Sequence, residues 1–229
     1  MAKEDQIIMV VPRKDLFGEI SLEKSPQGFL RVDDYDFSDA LNKKFEWMRR
    51  GSAKKPELNG AETNPDYKQP IAYAVIVDKK NKKIFAYKRA SAEEKYSESR
   101  LAGNWAWGFG GHVEQIDEEV DDTGVAIIEK SMERELSEEL LMPSDYVTTF
   151  LGYINDESND IGSVHIGLLY TIEIESDISL NGEEGAIGGW KTIDELKDLC
   201  NKAHVKDSGV SVDSWSAMIM EVLEEVVGN

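Results

Sequence analysis

Residues 132–140, MERELSEEL, place four glutamates in nine positions of the most extended helical pattern in the chain, TGVAIIEKSMERELSEELLM. A helix turns roughly 100° per residue, so Glu135, Glu138 and Glu139, at i, i+3 and i+4, share one face. Val125, Met132 and Leu136 fall on an adjoining face that can dock on a sheet, while Glu133 points nearly opposite to Glu135. Each like-charged i,i+4 pair costs a few tenths of a kcal/mol. Carboxylates gathered at a buried edge cost more, through desolvation. A hard divalent cation reverses that sign, because Mg²⁺ or Mn²⁺ takes oxygen ligands in near-octahedral geometry. Arg134, next to Glu135 and four residues before Glu138, can grip a carboxylate with both guanidinium nitrogens and fix its rotamer. A solvated acidic face is the competing reading, and the helix by itself does not choose between them.

The rest of the chain reads mostly as strands, with two further helices near its end. QIIMVV is a short strand and PRKDLFGE a turn. Residues 49–69 are polar, with two prolines and two glycines, and read as a loop or linker. IAYAVIVD and KIFAYKRA, separated by KKNKK, read as a β-hairpin. NWAWGFGGH is a strand running into a glycine turn, and Pro143 is the expected stop of the long helix. YVTTFLGYIN and VHIGLLYTIEI are strands joined by the polar loop DESNDIGS. GWKTIDELKDLCNKA holds a helix with Thr192 and Glu195 spaced as a capping box, and the tail SVDSWSAMIMEVLEEVVGN is a final helix. Helices among strands predict an α/β (α+β) sandwich with a mixed sheet. The expected organisation is an N-terminal extension over residues 1–69 packing on a main domain over 70–229, which ends in the C-terminal helix. The apolar positions of that helix suit core packing or a homodimer contact.

Composition narrows the partners. The formal charge of −19 repels nucleic-acid backbones and anionic membranes, so neither is expected. No apolar run approaches the roughly 20 residues a membrane span needs, and the N-terminus resembles no signal peptide. The single cysteine, Cys200, rules out a disulfide framework within the chain and points to a cytoplasmic home. It falls in a helical apolar pattern and reads as a small core residue. Neither DDYDFSD nor DESNDIG has the glycine of a calcium-binding loop.

GFGGHVE, residues 108–114, puts three glycines in four positions ahead of the carboxylate helix. Glycine permits a tight turn and close approach of backbone to a ligand. This combination resembles the Nudix box, G-x5-E-x7-R-E-U-x-E-E-x-G-U, where U is bulky and apolar. Arg134, Glu135, Leu136, Glu138, Glu139 and Met142 match its second half. The first half departs: 22 residues separate Gly111 from Arg134, an excess that falls on or near QIDEEVDDTG. Ala126 stands where the motif has glutamate, and Leu141 where it has glycine. YKR at 87–89 and GWKTIDEL are similar to other parts of such domains. The resemblance covers about residues 70–203 and is strongest to a subgroup of predicted Nudix phosphoesterases with a GGH turn and a lengthened loop.

That resemblance implies a Nudix-like fold and a Mg²⁺- or Mn²⁺-dependent hydrolase. Its substrate would be a small-molecule phosphoanhydride, such as a nucleoside diphosphate derivative, cleaved by water attack on phosphorus. It implies Glu135, Glu138 and Glu139 as metal ligands, with Glu114 and the carbonyl of Gly111 (or Gly110) joining them. Glu138 would be ligand or base, and Arg134 would orient the carboxylates. Arg89 and His112 are the candidate phosphate contacts, with Lys88 and Arg100 nearby in sequence. Asp156, Glu157 and Asp160 are further candidate bases, although a solvated loop is the expectation for them. Trp105 and Trp107 could stack a base, with core packing the expectation, and His165, alternating with apolar residues, is expected to be structural. The alternatives are a Nudix-like module that binds a nucleotide without cleaving it, and an acidic interaction protein with no site.

Overall fold

Apolar runs bounded by turn residues become strands where the sequence expects them. The computed structural model describes residues 2–55, 57–90, 102–120, 122–175, 177–181 and 185–228. In chain order it contains β1 (Ile7–Pro12), α1 (Arg13–Phe17), β2 (Gly28–Arg31), α2 (Ser38–Lys43), β3 (Glu46–Arg49), β4 (Tyr67–Asp78) and β5 (Lys83–Arg89). There follow β6 (Trp105–Ala106), α3 (Gly124–Glu139), β7 (Leu140–Leu141), β8 (Val147–Asn155), α4 (Asp160–Val164), β9 (His165–Glu173), β10 (Ser179–Leu180) and β11 (Gly185–Thr192). Helices α5 (Ile193–Ala203), α6 (Ser214–Met218) and α7 (Met220–Gly228) close the chain. This interleaving is the mixed α/β class predicted above. Among the described residues no helix is long and apolar enough to cross a membrane.

Contacts gather the chain into two units, one of residues 1–73, 110–134 and 151–169, the other of 74–109, 135–150 and 170–229. β4, α3, β8 and β9 each contribute to both units.

In the first unit β1 runs antiparallel to β3, from Ile7↔Arg49 to Val10↔Glu46, and meets β4 at Val11↔Lys68. β2 pairs with β8 from Gly28↔Asn155 to Arg31↔Gly152. Ile8, Val10 and Ala61 form a small core that Met48 and Tyr67 partly cover. Residues 49–69 are not a linker. The Ser52 N–H donates to the Leu58 carbonyl at 3.1 Å, and the Glu62 N–H to the Arg50 carbonyl at 2.9 Å. A Cβ on Gly60 would lie 2.4 Å from the Arg49 carbonyl oxygen, so the glycine is there to let two backbones touch. The expected turn PRKDLFGE contains a helix, α1. DESNDIGS also winds into a helix, α4, because the Asn159 side chain accepts the Gly162 N–H at 2.9 Å and caps it.

In the second unit the predicted hairpin closes at Val77↔Ile84 and Asp78↔Lys83. β5 also pairs with β11 (Trp190↔Phe85, Gly188↔Tyr87) and β6 (Tyr87↔Ala106). Tyr87 stacks on Phe109 with centroids 4.5 Å apart, and Trp107 is wholly buried, the core role expected of it. Trp105 is half-buried, with the Lys191 ammonium 5.1 Å from its ring centroid. Helix α3 ends at Glu139, before the expected Pro143 stop, because Leu140 and Leu141 leave it to pair with Leu180 and Ser179. The Thr192–Glu195 capping box of α5 forms as predicted: Glu195 Oε2 accepts the Thr192 N–H at 2.8 Å. The expected final helix is divided at Ile219, and Ile219, Val222, Leu223 and Val227 are buried. Cys200 is half-buried, and burial raises its thiol pKa, as suits an unreactive residue.

Candidate active site and a histidine cluster

The glycine turn is laid down as an extra strand-like segment of the first unit. His112 bridges Ile71 of β4, Glu114 bridges Ile8 of β1, and the Met9 N–H donates to the Val113 carbonyl at 2.8 Å. Gly110 has φ +153°, and a Cβ there would sit 1.9 Å from the Ala72 carbonyl oxygen. No other residue type can occupy that position without moving β4. Gly111 and His112, which follow, are half-buried.

Helix α3 is anchored at its start. The Val125 N–H donates to Asn42 Oδ1 of α2 at 2.9 Å, satisfying one of the unpaired N–H groups of the first turn. Gly124 lets the helix touch α2, since a Cβ would lie 1.9 Å from the Leu41 carbonyl oxygen. Ile127, Ile128, Met132 and Leu136 form its buried side; Val125, expected on that side, is half-buried.

The carboxylate seen in Arg134's fork is that of Asp117, with Nε to Oδ1 at 2.8 Å and Nη2 to Oδ2 at 3.0 Å. Nη2 also donates to the His112 carbonyl at 3.2 Å. Asp117 is buried and lies within the insertion QIDEEVDDTG, so that insertion does more than lengthen a loop. It supplies the carboxylate that ties the box arginine to the glycine turn. Sequence reasoning did not single out Asp117 among the chain's 45 acidic residues.

The three box glutamates occupy the last five residues of α3, with Glu138 exposed and Glu135 and Glu139 half-buried. The Glu139 carbonyl accepts the Asn181 N–H at 2.7 Å, which fixes the end of the helix. Glu114 is half-buried, accepts from Gln6 Nε2 at 3.0 Å, and through its N–H donates to Asp117 Oδ2 at 2.9 Å. Arg89, at the end of β5, holds its guanidinium 5.3 Å from the Tyr87 ring centroid. Arg100 lies outside the described residues.

Among the described residues, a group of metal-ligand type gathers elsewhere: Glu62, His112 and His165 present ligand atoms all within 4.8 Å of one another. The group does not include the three box glutamates. His112 Nε2 lies 3.2 Å from His165 Nε2, 2.9 Å from Gln69 Oε1 and 3.6 Å from Glu62 Oε1. This nitrogen, a candidate phosphate contact in the sequence, is turned into the cluster. His165 Nδ1 lies 2.7 Å from the Ile161 carbonyl oxygen, so that nitrogen is the donor and, in the neutral ring, Nε2 carries the lone pair. Glu62 is steadied by Arg50 Nε at 3.2 Å. Only three histidines occur in the chain, and two of them meet here. Nothing in the sequence places Glu62 or Gln69 beside them.

The first unit holds a second polar cluster. Asp156 and the side chain of Glu157 are buried, which corrects the expectation of a solvated loop for those two, while Asp160 is exposed as expected. Glu157 Oε1 accepts from Arg13 Nη2 at 2.6 Å and Asn155 Nδ2 at 3.0 Å, and pairs with Lys68 Nζ at 2.8 Å. Asp156 accepts from Ser158 N and Asn159 Nδ2, shaping the turn into α4. Lys68 is wholly buried; desolvation lowers its amine pKa to about 8, against the pull of Glu157.

No family profile matches the chain. Protein YmaB of Bacillus subtilis is 32% identical over 232 residues, an alignment covering 98% of this chain and all of that protein. Among solved structures, Tm1382, assigned by name to the Nudix hydrolases, superposes with a TM-score of 0.60 at 24% identity, covering 96% of this chain and 99% of its own. The Nudix domain of Shewanella oneidensis NrtR, solved with ADP ribose, gives a TM-score of 0.50 at 14% identity, covering 70% of this chain and 88% of that one.

Proposed function

We propose that this chain, which belongs to the family of Protein YmaB and shares the fold of solved Nudix proteins, is a divalent-metal-dependent hydrolase of a phosphoanhydride, with a nucleoside diphosphate derivative as substrate. One observation carries the reading: Arg134, Glu135, Glu138 and Glu139 stand at the motif's spacing on a regular helix whose start is clamped to α2. Glutamates on such a frame have their backbone already ordered, so binding costs only the side-chain part of the conformational entropy.

Glu135, Glu138 and Glu139 would hold Mg²⁺ or Mn²⁺ through their carboxylate oxygens. A set of hard oxygens fits such ions. When bound, the ion supplies neutralisation of phosphate charge and a water of lowered pKa. Glu138, the exposed member, is the residue we assign to receive the proton from the attacking water. Arg89, at a strand end, would meet the phosphates. Asp117 holds Arg134 against the His112 carbonyl, and this supports a positioning role for Arg134 toward the turn. ADP ribose in the NrtR domain makes ADP-sugars the natural first substrates to try.

Ala126 and Leu141, both off the motif, favour a second reading, a module that binds a nucleotide without cleaving it. Release of phosphorus-containing products from a panel of nucleotide sugars and dinucleotides, with Mg²⁺ or Mn²⁺, separates the two. Hydrolysis is expected in the wild type, with turnover about 100-fold lower in Glu138→Gln. Wild-type turnover in that variant would remove Glu138 from the chemistry; binding without turnover across the panel would leave the sensor reading.

A further inference from the structure

We infer that Glu62, His112 and His165 form a second metal site, specific for a borderline transition ion of the zinc type and separate from the box carboxylates. Two imidazole nitrogens and a carboxylate oxygen form a donor set that also binds zinc in enzymes. Tetrahedral coordination at zinc–nitrogen distances near 2.0 Å puts neighbouring ligand atoms about 3.3 Å apart. The separations around His112 Nε2 are 2.9, 3.2 and 3.6 Å. The fourth donor is Gln69 Oε1.

Three features support a ligand rather than a plain hydrogen-bonded knot. His165 gives its Nδ1–H to the Ile161 carbonyl, the arrangement that metal-bound histidines use to fix their tautomer. Its Nε2 lone pair therefore faces the cluster, together with oxygens of Glu62 and Gln69 that also accept. Gln69, 1% exposed, points its oxygen inward while its Nε2 has no hydrogen-bond partner among the described residues. A buried amide leaves a donor unsatisfied at a cost, and an ion bound by its oxygen offsets that cost.

The surroundings match. Arg50 steadies Glu62, Gln6 accepts from Arg50 Nη1 at 3.1 Å, and Gln6 Nε2 donates to Glu114. The donors come from the 61–63 turn, β4, the glycine turn and β9, so a bound ion staples four parts of the first unit. Imidazole donors and the burial of Glu62 and His165 disfavour Mg²⁺, which prefers oxygen and keeps its waters. Two ion types thus have two addresses.

The test is a Co²⁺ titration of chelator-treated full-length protein, followed by visible absorption, and Zn²⁺ calorimetry with millimolar Mg²⁺ present. The expected result is about one equivalent of Co²⁺ with the intense ligand-field bands of four-coordination, displaced by Zn²⁺ but not by Mg²⁺. His165→Gln should weaken Zn²⁺ binding by about 100-fold or more, since even outer-shell changes cost 10- to 100-fold. Glu138→Gln should leave it unchanged. If His165→Gln fails to fold, Gln69→Ala and the wild-type spectrum still decide. Absence of stoichiometric Co²⁺ uptake by the wild type, or loss of Zn²⁺ binding in Glu138→Gln, would overturn the site. Hydrolysis is no part of the readout, so this result stands apart from the proposed activity.

Discussion

Glu157→Gln is the sharpest probe of the buried charges in the first unit. The side chain is 4% exposed and sits among Arg13, Lys68 and Asn155. Glutamine keeps the shape and one carbonyl oxygen but removes the charge that both cations face, leaving Asp156 as the weaker acidic neighbour of Lys68. Arg13 cannot release its proton, and losing a charge-assisted contact made by both Nη1 and Nη2 costs about 1.5–3 kcal/mol. Lys68 can release its own. The fall of its pKa from 10.5 to about 8 already represents about 3 kcal/mol of burial penalty at pH 7. Making the amine neutral at pH 7 would cost about 5 kcal/mol relative to the unfolded chain, so Lys68 can add at most about 1–2 kcal/mol when Glu157 is lost. The expected total is about 3–4 kcal/mol at pH 7, within the range for breaking buried pairs. The sign with pH follows from proton binding. Between about pH 8 and 10.5 the unfolded chain still holds a proton that folded Lys68 has given up, so this lysine's penalty is relieved as pH rises through that window. The lysine share of the substitution's cost therefore fades by about pH 9, leaving the arginine share. Urea unfolding followed by tryptophan fluorescence at both pH values measures this. A cost under about 1 kcal/mol at pH 7, or a cost that grows toward pH 9, refutes the reasoning.

Asp117→Asn should keep the fold but weaken the grip on Arg134, lowering turnover on the substrate found by the panel by about 10- to 100-fold. Turnover equal to wild type would show that the pair is structural only. Gly124→Ala should destabilise the protein by about 1–3 kcal/mol in urea, because its Cβ meets the Leu41 carbonyl where no flexible side chain can yield. An unchanged midpoint would mean that α3 and α2 are not in contact in solution. Thr192→Ala removes the capping box of α5 and should cost about 1 kcal/mol, read from the same titration, with no change in metal binding.

Local rules were legible where local physics decides. The period of apolar residues gave β4, β5, β8 and β9, and the Thr192–Glu195 spacing gave the start of α5. Spacing on a single helix likewise placed Glu135, Glu138 and Glu139 on one face without any knowledge of the fold. Short helices were less legible: α1 and α4 read as turns, because one helical turn leaves no periodicity and a single cap such as Asn159 decides it. Helix α3 ended early because Leu140 pairs with Leu180, a contact across 40 positions.

What the sequence by itself determined is the α/β class, the strands β1, β4, β5, β6, β8 and β9 and the helix that carries the box, since each follows from the backbone period and from neighbours within a few residues. What only the tertiary structure decided is which polar groups meet. Asp117 to Arg134, Glu157 to Lys68 and Arg13, and Glu62 to His112 and His165 are pairings between distant segments. A charge in a chain with 45 acidic residues carries no mark of its partner. Burial supplies that mark, because removing an ion from water is tolerable only where the fold brings up the group that compensates it.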